Sequence, residues 1–261
     1  MRHFTLKLVY PSLFIFLLFF GCSTPQKIDF DRTENSHINK IALLRVDEPK
    51  KIRITGGSGK APHAAYWACC LLGGPCLGAP LGAALGSATA AGIESGQSKE
   101  FYEELKNHHI QFAPHMVEAL EQKLTMGGRE IIYLPDQAPM LEKEDKTAAY
   151  YAQIDTDADA IMTFMMGSVG YSLIVNAFKP NLWVSTNIYD LRSKKEIYSR
   201  TFLVTSIISG VSYPKSIEII YPGDQYRYDS VDSIMKNVDE ASEGIKACQN
   251  KIASRVAEHL R

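Results

Sequence analysis

The chain has 261 residues, with 28 Lys and Arg against 29 Asp and Glu and a formal net charge of −1. That balance leaves no basic excess to hold a phosphate backbone, so nucleic-acid binding has no electrostatic support. The length is enough for one sizeable core or two small domains.

The chain opens as an export signal. Arg2 and Lys7 make a positive n-region, and Leu8 to Phe20 is an uncharged run of 13 residues rich in Phe and Leu. That run is short of the roughly 20 residues a spanning helix needs. It ends in Phe19-Phe20-Gly21-Cys22, with a small residue before the cysteine, and opens onto the polar stretch Ser23-Thr24-Pro25-Gln26-Lys27.

These residues resemble the lipobox of bacterial lipoproteins, although Phe19 stands where that family usually has Leu. The resemblance implies a signal peptide over 1–21 and a triacylated Cys22 as the mature N-terminus, facing the periplasm. Ser23, being non-acidic, is what such lipoproteins carry when they are sorted to the outer membrane. Several acyl chains hold stably where one, at about 0.8 kcal/mol per buried CH₂, binds marginally. The mature chain would have 240 residues, with 26 basic and 29 acidic.

Residues 22–39 are polar and aperiodic and read as a flexible tether. From Lys40 a single α+β periplasmic domain, 40–261, is expected. Lys40 to Val46 is apolar and stopped by Asp47-Glu48-Pro49, as a buried strand would be, and Lys51 to Thr55 alternates as a half-exposed one.

Between Lys60 and Glu94 lie 33 residues without Asp, Glu, Lys or Arg, an insertion over 61–93. Gly74, Gly78, Gly82 and Gly86 recur in it every four residues, which on a helix places them on one face and lets another backbone approach. The stretch resembles a glycine zipper. Either it is a self-associating or membrane-touching helical hairpin, or it packs on its own domain. Pro75 and Pro80 interrupt a continuous helix, and Pro80 suits the start of one running from Leu81 to about Gly92.

Ser98 to His108 is helix-permissive. After Pro114 a second helix carries Met116, Val117, Leu120 and Leu124 on one side and stops at Gly127-Gly128. Glu130 to Leu134 reads as a strand, and Met140 to Gln153 as a helix. His108, His109 and His115 lack metal-ligand spacing, and exposed or capping roles suit them better. Asp155, Asp157 and Asp159 lack the glycine and terminal glutamate of a calcium loop and read as a solvated edge.

Ala160 to Phe178 is uncharged over 19 residues, but Gly167, Ser168 and Gly170 punctuate it, predicting two strands, 161–166 and 171–176, joined by a turn. Leu182 to Tyr189 and Glu196 to Thr205 form the clearest hairpin. Ser206 to Asp229, rich in Tyr, Pro and Gly, reads as a surface loop able to offer aromatic contacts. From Ser230 a long C-terminal helix carries Val231, Ile234, Val238, Ala241, Ile245, Cys248, Ile252 and Val256 as an apolar stripe.

Cys69, Cys70, Cys76 and Cys248 remain beyond Cys22. Their even number permits disulfides without fixing a pairing, and their spacing matches no zinc framework. No G-x-S-x-G, phosphate-binding loop or HExxH occurs, and no convincing carboxylate pair.

Ile41 to Val46, the helix ending at Gly127, Ala158 to Met162 and Ile188 to Tyr198 together resemble the curli-secretion-channel lipoprotein and relatives built on an anticodon-binding-like α+β unit. That resemblance covers Lys40 to Thr205 apart from the insertion and implies helices packed on one sheet. The expectation is therefore a non-enzymatic lipoprotein without cofactor or metal. It would serve a cell-envelope assembly as scaffold or accessory subunit, or alternatively oligomerise and bring its insertion into a membrane.

Overall fold

The computed structural model describes residues 27–49, 52–56, 84–140, 149–174, 176–206 and 214–261. They form an α+β fold, in order β1 (Lys40–Leu44), β2 (Ile52–Thr55), α1 (Ala84–Asn107), α2 (Ala113–Met126), β3 (Glu130–Leu134), β4 (Ala160–Ile174), β5 (Ala177–Asp190), β6 (Lys195–Val204), β7 (Ile217–Ile220), α3 (Val231–Lys236) and α4 (Val238–Leu260). The strands make one mixed sheet of order β3-β1-β4-β5-β6-β7. β2 lies beside β4, beyond the stretch where β1 pairs.

β4 runs unbroken through the stretch expected to turn. Its register with β5 shifts between Met166 and Val169, so Gly167-Ser168 is a bulge that bends the strand without ending it. Three residues on, Gly170 sits at φ +146°, where a Cβ would overlap the Arg53 carbonyl of β2. Only glycine fits that close approach. β1 uses Ala160 to Met162 of β4, and β2 uses Val169 to Ser172, both in parallel.

The helices pack on one face. Every residue of the stripe read along the C-terminal helix is buried. Ser230 caps α3 by accepting from the Ser233 N–H at 3.1 Å, but the helix breaks at Asn237 before α4 begins. Gly244 lets α4 approach the sheet. A Cβ there would meet Tyr226 Cβ at 2.9 Å and overlap the Tyr171 hydroxyl, which donates to the Ala241 carbonyl at 2.8 Å. Tyr171 in turn meets Phe101 and Tyr228 edge to face. On the opposite face Tyr151, Ile154, Ile161 and Tyr189 form a smaller cluster under Ala42 and Leu44.

Other expectations are revised. Residues 27–39 are docked on the fold, not held off it as a tether. Ile28 exchanges backbone hydrogen bonds of 3.0 Å with Ser199 of β6, and Ile38 is fully buried. Asp29 pairs with Arg200, and His37 reaches Asp190 at 3.3 Å. The stretch looked mobile because its few apolar residues show no period; they serve as single anchors under the sheet. Beyond the position expected for its end near Gly92, α1 continues to Asn107 as one helix. Within the supposed loop after Ser206, Ile217–Ile220 pairs in parallel with Thr201 to Val204.

Replacing Gly170 by Ala should cost more than about 2 kcal/mol by forcing β2 off β4. Gly96, inside α1 with open space around its Cα, is the control, and Ala there should stabilise by roughly 0.5–1 kcal/mol. Urea midpoints of the two variants check this; equal midpoints would remove the close approach at Gly170 from the account.

Candidate functional site

Of the residues singled out by sequence, Cys22, Gly74, Gly78 and Gly82 lie outside the described residues, as do Cys69, Cys70 and Cys76. Gly86 falls in the first turn of α1. Cys248 is a free, buried thiol whose pKa burial pushes up to about 12, so it is an inert core residue.

The histidines do not converge. His108 meets Asp239 at 2.9 Å, and His109 takes the left-handed conformation after α1 with φ 56°. His115 is half-buried on α2, its Nε2 without a hydrogen-bond partner. Among the described residues no three His, Cys, Asp or Glu side chains stand where they could hold a metal ion. Asp159 accepts from the Asn39 and Lys40 N–H groups, both at 2.8 Å. Asp157 is held below the usual carboxylate range by its hydrogen bond from Lys40. These aspartates fasten the start of β1.

Asp190 fastens the turn between β5 and β6. Burial alone would raise its carboxyl, but hydrogen bonds from Ser193, Arg192 and His37 outweigh it and hold the group below its ordinary range.

An open groove of about 550 Å³ lies between the loop after β1 and α2. One wall is the loop after β1, Arg45 to Glu48; the other is the first half of α2, with Val117, Glu118 and Glu121; the floor reaches Tyr133 and Pro135. A second cavity of about 250 Å³, between α1 and the start of α2, shares Glu48 with it. Glu48 fixes the geometry of both. Phe112 supplies no side-chain cap to α2, and the Glu48 carboxylate accepts instead from the N–H groups of Phe112 and Ala113 at 2.9 and 2.8 Å. It meets the positive end of the helix dipole there and satisfies donors the helix cannot. Nothing near Glu48 in sequence announces this, since 64 residues separate it from Phe112.

Apolar and acidic groups alternate around the groove. Arg45 is spent on Asp47 at 2.8 Å, while Glu118 and Glu121 have no ion pair among the described residues. No nucleophile stands against a base in the groove. Its lining is part apolar and net acidic.

A second polar cluster joins the end of α4 to β6 and β7. His259 Nδ1 lies 2.9 Å from the Tyr198 hydroxyl and Nε2 3.3 Å from Glu218, while the ring stacks on Phe202. Burial pushes the His259 pKa below its ordinary value; Glu218 pulls it back up, and Arg200 and Arg255 push it down further. Tyr198 is fully buried, so the cluster ties elements together and exposes no nucleophile.

No protein family and no curated protein matches the sequence. Solved structures similar to this chain include the PelC dodecamer from Paraburkholderia phytofirmans, 10% identical, covering 90% of this chain and 95% of that one with a TM-score of 0.32. The hypothetical protein CT253 from Chlamydia trachomatis is 11% identical over 85% of this chain and 98% of that one, with a TM-score of 0.31. Lipoprotein GNA1162 from Neisseria meningitidis is 13% identical over 62% and 79%, with a TM-score of 0.21.

Glu48→Ala should destabilise the fold by about 1–2 kcal/mol, and Glu48→Gln, which keeps an acceptor, by less; urea unfolding of both variants measures it. With its pKa lowered in the folded state, His259 takes up a proton more readily when unfolded. Its contribution is therefore present above the unfolded value of about 6.5 and is lost as pH falls below it. His259→Gln should flatten the decline in stability between about pH 7.5 and about pH 5, followed by urea unfolding at each pH. An unchanged slope would exclude His259 as a contributor.

Proposed function

We propose that this chain is a lipid-anchored envelope protein acting without catalysis, as an accessory or scaffold subunit on the periplasmic side of the outer membrane. The observation that carries the reading is the order of events at the N-terminus. An uncharged run ends at Gly21-Cys22, and only six residues later the chain is bonded to the domain at Ile28. An acylated Cys22 would hold the domain close to the bilayer, not at the end of a long leash. Among the described residues no helix is long and apolar enough to cross a membrane, which is compatible with a lipid doing the anchoring. The groove between α2 and β3, with no assembled catalytic group, supports a binding role.

Cys22→Ala tests the reading. The full chain expressed in a Gram-negative host should incorporate labelled palmitate and sediment with membranes, and the variant should do neither. Label and membrane fractionation that persist in the variant would refute the anchor. Labelled protein found in the inner-membrane fraction would overturn the sorting inferred from Ser23.

A further inference from the structure

The acidic groove adjoins an open strand edge. β3 pairs in parallel with β1, and among the described residues no strand lies against its other side. The Glu130 N–H donates to the Asn39 carbonyl at 2.8 Å, so the N–H and C=O of Glu130 face β1. By the alternation of a parallel ladder, Ile132 and Leu134 face β1 too, while Ile131 and Tyr133 turn their N–H and C=O outward. All four residues from Ile131 to Leu134 are half-exposed, whereas Ile41 to Leu44 of β1 are buried. Tyr133 belongs both to this edge and to the groove floor.

The other sheet margins are closed. β2 would present an edge, but Ser98 of α1 caps it, its hydroxyl accepting from the Ile54 N–H at 2.9 Å. β7 is four residues long, lies between Pro214 and Pro222, and is tied through Glu218 to Arg255 and His259. β3 is five residues long and stops at Pro135, but among the described residues no side chain caps its outer edge.

We infer that β3 and the α2 groove together accept an extended, basic segment of a partner protein, which adds to the sheet as a strand beside β3. Main-chain hydrogen bonds to Ile131 and Tyr133 supply attachment. Alternate side chains of the added strand turn toward the helical face, where Val117 offers apolar contact and Glu118 and Glu121 offer negative charge without an ion pair among the described residues. Lys or Arg at those alternate positions is the complement. A second copy of this chain fits less well, since its own β3, Glu130-Ile-Ile-Tyr-Leu134, brings no basic residue to the groove. Such a segment would be the partner chemistry of the proposed accessory role, and it depends on that role only for where the partner is met.

The probe is a dye-labelled seven-residue peptide alternating Lys and Val, titrated into the full-length protein in mild detergent. It should bind at least about tenfold more tightly than its Glu-Val counterpart, and weaken several-fold as ionic strength rises from about 0.05 to 0.5 M. Glu118→Lys with Glu121→Lys should cost about tenfold. Two N-methylated peptides test strand addition without touching the protein. Methylation of one alternate set of residues should abolish binding and of the other set should not. Equal binding of acidic and basic peptides would overturn the charge assignment, and tolerance of both methylated sets would overturn the strand. Self-association that the peptide dissolves would give the edge to a second copy. None of these outcomes bears on the acylation of Cys22, so the anchor and the groove stand or fall separately.

Discussion

One strand serves two neighbours along a single edge, and most of the molecule depends on how it does so. β4 is 15 residues long, and β5 follows it along its whole other side. On the near side β1 takes its first three residues and β2 takes Val169 to Ser172. A flat strand would hold both in one plane and one register. The bulge at Gly167-Ser168 changes the register and the twist between them. Gly170 then lets the β2 backbone come in where any side chain would block it. Beside that junction α1 packs on β2, and the Ser98 hydroxyl accepts from the Ile54 N–H.

The legible parts of the fold were those whose signal is periodic and local. The α4 stripe, the Ser230 start and the β5–β6 hairpin each have residues that declare themselves within one or two turns or strand repeats. The misread parts are set by partners far along the chain. Gly167-Ser168 has the composition of a turn, and only the continuous pairing with β5 makes it a bulge. Ile217-Glu218-Ile219-Ile220 has strand-forming residues, but four of them between prolines gave too short a pattern to outweigh the surrounding Tyr, Gly and Ser. Residues 27–39 have no pattern at all: Ile28, Phe30 and Ile38 are held one at a time by β6, Arg129 and the core. The groove was the least legible feature, since its wall, floor and cap come from Glu48, Val117 and Tyr133, which no local rule associates.

Charge arrangement separates the structural groups from those left to meet something else. Asp157, Asp159 and Asp190 all bind donors of this chain, and each closes a strand end. Glu48 is committed to α2, and Glu218 to Arg255 and His259. Exposed ion pairs contribute little to stability, typically below about 1 kcal/mol, so their value here is in fixing geometry. Glu118 and Glu121 differ in having no ion pair among the described residues. They stand on a helix whose apolar side is already buried against α4, next to β3, on whose outer side no described strand lies.

The docked N-terminal segment also links the two flanks of the sheet. Ile28 joins the chain to β6, while the groove lies at β3, and in the order β3-β1-β4-β5-β6 four interstrand steps separate them. At roughly 4.8 Å per step that is about 19 Å across the sheet. Ile28 and the groove therefore stand on opposite flanks of the sheet. Because Ile38 is buried and Asn39 and Lys40 are hydrogen-bonded to Asp159, the same strap that docks on β6 at Ile28 also fixes the start of β1. β1 in turn is the strand on which β3 is built, so one continuous stretch of backbone, from Ile28 to Leu44, ties the β6 flank to the strand that positions β3.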